Sequence, residues 1–434
     1  MINRLSALFL IVALVMIVRL YPFGELPGLQ GANAFSLGFV ILTGYLLGEI
    51  LSSIKLPKIT GYLIGGMFIG PYLAGLITHD SVADFQLIDQ IALTLIALTA
   101  GGELRLEALK KCWRGIISIT ISQTIWLFAL GTLSTWALIN FTPWFGSYST
   151  IAQWSVALII GVIAIAQSPS TTIAIITETK SAGMCTDLAL GVAVVKDVIV
   201  IVMYTCVLMT VGVMDQGMDA LEWIKLFALA KEIVFSILFG ILAGVFISYY
   251  LSRIRLDAIL FLLAFCYLIS IGAKSIHLDP LLVCVAAGIW VTNASSQGAE
   301  LIETIEEGSL IIYVIFFCVA GASLNLGALA KMWPLALLLV GFRMIMVAFS
   351  TWFASRFSKL AIPSPRSYWM VFLPQAGVSL GLVALLRQDE FIWASDLKTL
   401  VIACIAINQI LGPILMKYAL VKSGEVGQHK RSRR

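Results

Sequence analysis

The chain is a succession of apolar runs separated by short polar turns, and a bilayer-spanning helix needs roughly 20 such residues. Fourteen runs reach or approach that length: 5–20, 35–53, 59–77, 85–103, 115–139, 152–177, 185–212, 224–251, 257–273, 280–296, 308–326, 334–356, 367–387 and 396–420. In hydrocarbon each backbone N–H and C=O must find its partner within the protein, so runs of this length fold as helices. Composition agrees: 60% of residues are hydrophobic and 12% charged, with a mean hydropathy of +0.99. Soluble domains carry about 25% charged residues, so the expected class is an all-α polytopic membrane protein. The first run is short and begins at Arg4. No small-residue cleavage site follows it, which favours a retained helix over a signal sequence.

Charge asymmetry orients the spans. With the N-terminus in the cytoplasm, the cytoplasmic loops hold Lys55 and Lys58, then Arg105, Lys110, Lys111 and Arg114, then Lys180, Arg253 and Arg255, Arg356, Lys359 and Arg366. The tail adds Lys417, Lys422, Lys430, Arg431, Arg433 and Arg434, whereas the opposite loops are nearly free of basic residues. This positive-inside pattern puts both termini in the cytoplasm. Loop 297–307, with Glu300, Glu303, Glu306 and Glu307 and no basic residue, departs from it, but acidic residues count little in the rule.

Asp197 lies near the middle of run 185–212, beside Lys196. An ionised carboxylate at that depth costs about 2.5–3.5 kcal/mol on insertion scales, so it should face a protein interior or a water-filled cavity. Such a residue points to an ion or proton pathway.

Two runs break their own helix pattern. Run 152–177 carries Ser168, Pro169, Ser170, Thr171 and Thr172 at mid-depth, and run 367–387 carries Pro374, Gln375, Gly377 and Gly381. Proline removes a backbone donor and clashes with the preceding turn, so each is a kink or an unwinding point. In the assigned topology the sixth run crosses inward and the thirteenth outward, each between two long apolar helices. Units of opposite orientation with broken helices are the pattern of an inverted-repeat transporter. The half-helix ends then need balancing charges: Asp197 suits the positive ends and Arg343, within run 334–356, the negative ends.

Other classes find little support. The net charge of +4 comes mostly from short loops and gives no nucleic-acid surface. Seven scattered cysteines make neither a disulfide framework nor a metal motif. His79, His277 and His429 are far apart, no HExxH or nucleophile elbow occurs, and no enzyme or bound cofactor is expected. The longest loops run about a dozen residues, so a sensor or regulatory module would be a separate protein.

Six stretches carry a family resemblance: LPKITGYLIGGMFIGP (56–71), LTAGGELRLEALKK (98–111), QSPSTTIAIITET (167–179), LALGVAVVKDVIVIV (188–202), FFCVAGASLNLGAL (316–329) and LPQAGVSLGLVALL (373–386). With them the chain resembles the monovalent cation:proton antiporter superfamily, in particular its Kef-like and Nap-like branch of sodium/hydrogen exchangers. The resemblance runs from about residue 35 to the end and implies about thirteen core helices, with two crossing discontinuous ones. The first helix and its loop, 1–34, would be an addition, 35–420 the transmembrane antiporter domain, and 421–434 a short basic cytoplasmic tail. A core bundle, about 85–212 and 334–420, would move against scaffold and dimer helices at about 35–77 and 224–326.

The resemblance also implies roles. Asp197 matches the aspartate that binds monovalent cation and proton in competition. Ser168, Thr171 and Thr172 match the unwound stretch that helps line the site, and Pro169, Pro374, Gln375 and Gly377 mark the two helix breaks. Arg343 matches the basic residue compensating the crossing, and Glu103 an acidic residue at a core-helix end. Glu103 is either an ion-pair partner or a solvated helix-end glutamate. Lys196 departs from the family, which commonly has aspartate, asparagine or glutamine there. It either pairs with Glu103 or another acid, or carries a proton itself; one titrating carboxylate favours 1:1 exchange, a second group an electrogenic one. The implied partners are Na+ or K+, protons, the lipid bilayer and a second copy in a homodimer; the implied location is the cell membrane, specifically a bacterial inner membrane. Gly44/Gly48, Gly61/Gly65 and Gly240/Gly244 allow close helix approach, across that dimer face or inside one protomer. Two alternatives remain: a potassium-selective efflux or leak pathway of the same fold, and a non-transporting membrane sensor or complex subunit.

Overall fold

A computed structural model describes residues 31–75, 77, 86–140, 142–216, 223–254, 256–358, 366–375, 382 and 391–428. Among them every regular element is helical. In chain order these are α1 (Gly31–Ser53), α2 (Lys58–Ile69), α3 (Gln86–Glu103), α4 (Leu106–Ile139), α5 (Thr150–Ile165), α6 (Pro169–Thr179), α7 (Met184–Gln216), α8 (Trp223–Arg253), α9 (Ala258–Ser275), α10 (Pro280–Ala294), α11 (Gly298–Ala322), α12 (Leu326–Ser358) and α13 (Ala394–Ser423). A 3₁₀ turn, Tyr368–Phe372, precedes α13. Seven stretches of the described residues are long and apolar enough to cross a membrane, and the chain is a multi-pass membrane protein. The expected helix 5–20 and Gly377 lie outside the described residues.

Helix ends follow local chemistry. Ser149 caps α5, its Oγ accepting from the Ala152 N–H at 3.3 Å. Lys180 closes α6 in the left-handed conformation, and Gly424 does the same for α13. Within α12, Met332 leaves helical geometry two residues before Pro334, where the proline ring crowds the preceding turn. Two boundaries differ from the apolar runs. α4 begins nine residues before run 115–139, so Lys110, Lys111 and Arg114 ride on its first turns and not in a loop. Leucine, glutamate, alanine and lysine there are strong helix formers despite their polarity. α11 begins at Gly298, which makes the acidic loop helical and sets Glu300 against the positive end of the dipole.

The chain forms two compact units. The first contains α1–α3, α8 from Gly240, and α9–α11. It packs by backbone contact at glycines. A Cβ at Gly61 would lie 2.6 Å from the Gly48 amide nitrogen, and one at Gly244 would lie 2.8 Å from the Ala287 oxygen. Gly65 faces Gly44, and Gly240 faces Ala286. These small-residue faces are therefore used inside the unit, not as a dimer face, because the neighbouring helices already occupy them. α3 belongs here too: Gly101 meets the Val285 backbone, and Thr292 donates to the Gly102 carbonyl at 2.7 Å. The core bundle expected from about residue 85 thus begins at Leu104 as a compact unit, with α3 outside it.

The second unit holds α4–α7, α8 up to Phe239, residues 277–279, α12, the 3₁₀ turn and α13. A polar seam joins α4 to α12: Ser118 donates to Ala354 O (3.1 Å), Ser122 to Ser350 O (2.8 Å), and Gln123 Nε2 to Thr351 Oγ1 (2.7 Å). Trp126 meets Phe349 and Phe353 edge-on beside it.

Candidate functional site

The run 152–177 is not one helix. α5 stops at Ile165, residues 166–168 are extended, and α6 starts at Pro169. Proline imposes this: the residue before it is driven out of helical geometry, and Ser168 has φ −86° and ψ 110°. Pro169 then sits at the first helical position, where its missing N–H costs nothing. Ser168 caps the new helix, with Oγ accepting from Thr171 N at 3.1 Å, and Thr172 Oγ1 donates back to Ser168 O at 2.8 Å. Ser168 Oγ also donates to Thr171 Oγ1 at 3.0 Å, so the three expected hydroxyls form one cluster.

The second interruption follows the 3₁₀ turn, at Leu373, Pro374 and Gln375. Residues 163–168 and 373–375 supply each other's missing partners. Ser168 N donates to Pro374 O at 2.8 Å, and Gln375 Nε2 to Ile163 O at 2.8 Å. Asn408 of α13 holds Gln375 from behind, donating to its Oε1 at 2.8 Å. α13 can approach because Gly412 has no side chain; a Cβ there would lie 2.9 Å from Pro374 Cα.

Arg343 completes the crossing. Its guanidinium is 4% exposed and donates to three carbonyls: Nε to Ala164 (2.9 Å), Nη2 to Ala166 (2.8 Å) and Nη1 to Leu373 (3.0 Å). These oxygens are at the C-terminal ends of the two interrupted segments, where the unpaired carbonyls concentrate partial negative charge. A planar fork of donors suits this task as a lysine would not.

α7 packs against α5, α6 and the 3₁₀ turn. Gln167 Nε2 ties it to the first interruption by donating to Ala189 O at 3.3 Å. Asp197 follows about two turns later, some 12 Å along the axis. Its Oδ1 is buried and accepts no hydrogen bond among the described residues. An orphaned buried carboxylate oxygen is costly in the interior of a protein.

Lys196 is fully buried and turns about 100° away from Asp197 around α7. Its ammonium donates to Gln123 Oε1, the amide that in turn donates to Thr351. Of the two readings left open for Lys196, an acid partner or a proton carrier, the first finds no acid among its described hydrogen-bond partners, where the lysine meets a neutral amide. Glu103 is the last residue of α3, half-buried, in the first unit. Gln123 and Asn408 were not singled out from the sequence. A polar amide at mid-helix in runs such as ISQTIWLF and AINQIL is the signal that could have found both.

Comparison with known proteins adds an independent line. A family model described as "Sodium/hydrogen exchanger, transmembrane" matches residues 38–422. The chain is 23% identical over 311 residues to GerT of Bacillus cereus, named a probable Na(+)/H(+) antiporter, covering 69% of this chain and 76% of that one. It is also 23% identical over 404 residues to MagA of Paramagnetospirillum magneticum, named an iron transporter, covering 86% and 82%. Two structures of MjNhaP1, the sodium proton antiporter of Methanocaldococcus jannaschii, share the fold. One, determined at pH 8, matches with a TM-score of 0.64 at 17% identity, covering 89% of this chain and 98% of that one. The other has a TM-score of 0.71 at 18% identity, covering 90% and 97%.

Proposed function

The chain belongs to the sodium/hydrogen exchanger family, and from that premise we propose that it exchanges a monovalent cation, Na+ or K+, for protons by alternating access. The observation that carries this reading is the buried Asp197 Oδ1 without a hydrogen-bond partner, on a helix packed against two interrupted segments that meet at Ser168 and Pro374. Ionised, Asp197 attracts a partly dehydrated cation; a unit pair at 4 Å is worth about 4 kcal/mol at an effective dielectric of 20. Protonated, it loses that attraction and releases the cation. Ser168, Thr171 and Thr172 supply further oxygens, and Arg343 holds the crossing together so that the carbonyl ends are not themselves the cation trap. Lys196 and Glu103 act as charge-compensating or proton-coupled groups. The bundle expected at about 85–212 and 334–420, less α3, moves against the other helices in a homodimer, in a bacterial inner membrane, with both termini cytoplasmic.

The iron named for MagA suits this chain less well. Among the described residues no three His, Cys, Asp or Glu side chains come together as a divalent-metal cage would need. The test is cation-driven proton movement in proteoliposomes, read with a pH-sensitive dye after sodium, potassium or lithium pulses. Movement in the parent and none in Asp197→Asn supports exchange and names the ion. Proton movement absent from the folded parent sinks it, and tracer flux of the cation then separates a leak from a sensor.

A further inference from the structure

The tail beyond α13 holds a buried carboxylate that ion exchange as described does not use. Glu425 is 6% exposed and spends both oxygens on the first turn of α7. Oε1 accepts from Cys185 N at 2.7 Å; Oε2 accepts from Thr186 N at 2.8 Å and from Thr186 Oγ1 at 2.7 Å. Those N–H groups are among the four that a helix start leaves unpaired. The residue before α7 is Gly183, which has no side chain to cap them. It adopts φ +153°, and a Cβ there would strike the Glu425 side chain.

Neighbouring backbone bonds extend the contact to α6. Ala182 N donates to Glu425 O at 3.1 Å, and Gly427 N donates to Thr179 O at 3.1 Å. The segment 425–427 therefore pins the end of the half-helix that carries Ser168, Thr171 and Thr172 to the start of the helix that carries Asp197. Gly424, left-handed at φ +76°, turns the chain from α13 into this position.

We propose that Glu425 is a positioning residue for ion exchange: it supplies from beyond the last helix the cap that α7 lacks, and so sets the depth of Asp197 against the α6 hydroxyls. A helix transmits an axial displacement along its length, and Asp197 is about 16 Å from Thr186. Cation coordination depends on oxygen placement, so a loosened first turn is felt as weaker cation affinity. This role rests on the exchange reading.

The test uses the full chain with Glu425→Gln, Glu425→Asp and the milder Thr186→Val, which deletes one donor only. Amide hydrogen exchange at residues 184–187 is expected to speed up about tenfold in Glu425→Gln, the scale of one charge-assisted hydrogen bond, with mid-helix α5 unchanged. The apparent KM for the cation in proteoliposomes should rise several-fold while kcat changes less. Glu425→Asp should recover part of both effects, and Thr186→Val should show a smaller rise in KM. Unchanged exchange at 184–187 overturns the cap. Faster exchange with an unchanged KM reduces it to a structural bond and overturns the positioning role. A parent that moves no protons fails the exchange reading itself, an outcome separable from both because the exchange protection is read without transport.

Discussion

Ser168 donates its backbone N–H to the carbonyl of Pro374, so an amide left outside helical geometry at one interruption finds its acceptor at the other. Distant in sequence, both breaks would be unstable alone in hydrocarbon, where unpaired backbone groups cost several kcal/mol. Together they form a polar knot inside the second unit, and the surrounding side chains are placed to hold it. Expected consequences can be assigned to particular atoms.

Arg343 should be indispensable for folding more than for chemistry. Arg343→Met would strip donors from the carbonyls of Ala164, Ala166 and Leu373 at once. Each buried acceptor left unpaired costs about 1–3 kcal/mol, so a loss of at least about 3 kcal/mol is expected. Arg343→Lys should fall between, because one ammonium lacks the fork geometry. Melting of the detergent-purified protein, followed by monodispersity on a sizing column, measures this. A variant that melts like the parent would contradict the assignment.

Glycine positions in the first unit should separate sharply by what faces them. A Cβ at Gly66 would run into the Cys318 backbone and come within 2.9 Å of Ala322 N, whereas Gly272 has nothing within 4 Å. Gly66→Ala is expected to destabilise by about 1–3 kcal/mol through overpacking. Gly272→Ala should stabilise by about 0.5–1 kcal/mol, as alanine does for glycine inside a helix. Paired melting curves would show shifts of opposite sign, and matching shifts would count against the packing described.

How much of this was open to sequence reading follows from range. Pro169, Pro374 and Arg343 announce themselves because proline and a charge are anomalous inside an apolar run, whatever surrounds them. The lysine's partner could not be read the same way. Gln123 is a neutral amide in another helix, and only tertiary packing brings it to Lys196. Glu425 was hidden for a different reason: in a basic tail it reads as a solvated residue, and its burial depends on the turn at Gly183. Hydropathy also misplaced the starts of α4 and α11, since helices continue beyond the apolar part that a bilayer covers.

Asp197 should behave as a functional residue that the fold tolerates at a cost. Asp197→Asn removes a carboxylate whose Oδ1 has no hydrogen-bond partner among the described residues, and a neutral amide is cheaper to bury than a charge. Cation-driven proton movement should vanish while the melting temperature stays level or rises. Glutamate, longer by one methylene, should retain the charge but misplace it, with an apparent KM raised about tenfold, equivalent to 1.4 kcal/mol. A fall in melting temperature with Asn would point instead to a structural carboxylate.

The Lys196–Gln123–Thr351 chain gives the last prediction. It links α7 to the seam between α4 and α12, on a different face from Asp197. Lys196→Met leaves Gln123 Oε1 buried without its donor, and Gln123→Leu leaves the ammonium buried without its acceptor. Both single changes should destabilise, the second more because the orphan is charged. The double variant removes the polar pair entirely and should recover part of the loss, giving a coupling of about 1–2 kcal/mol in a double-mutant cycle. Transport decides between the roles left open for the lysine. If it is structural, Lys196→Met with Gln123→Leu keeps proton movement, and that movement responds to an imposed membrane potential as in the parent. A potential dependence present in the parent and lost in the double variant would instead mark Lys196 as a carrier of charge through the cycle.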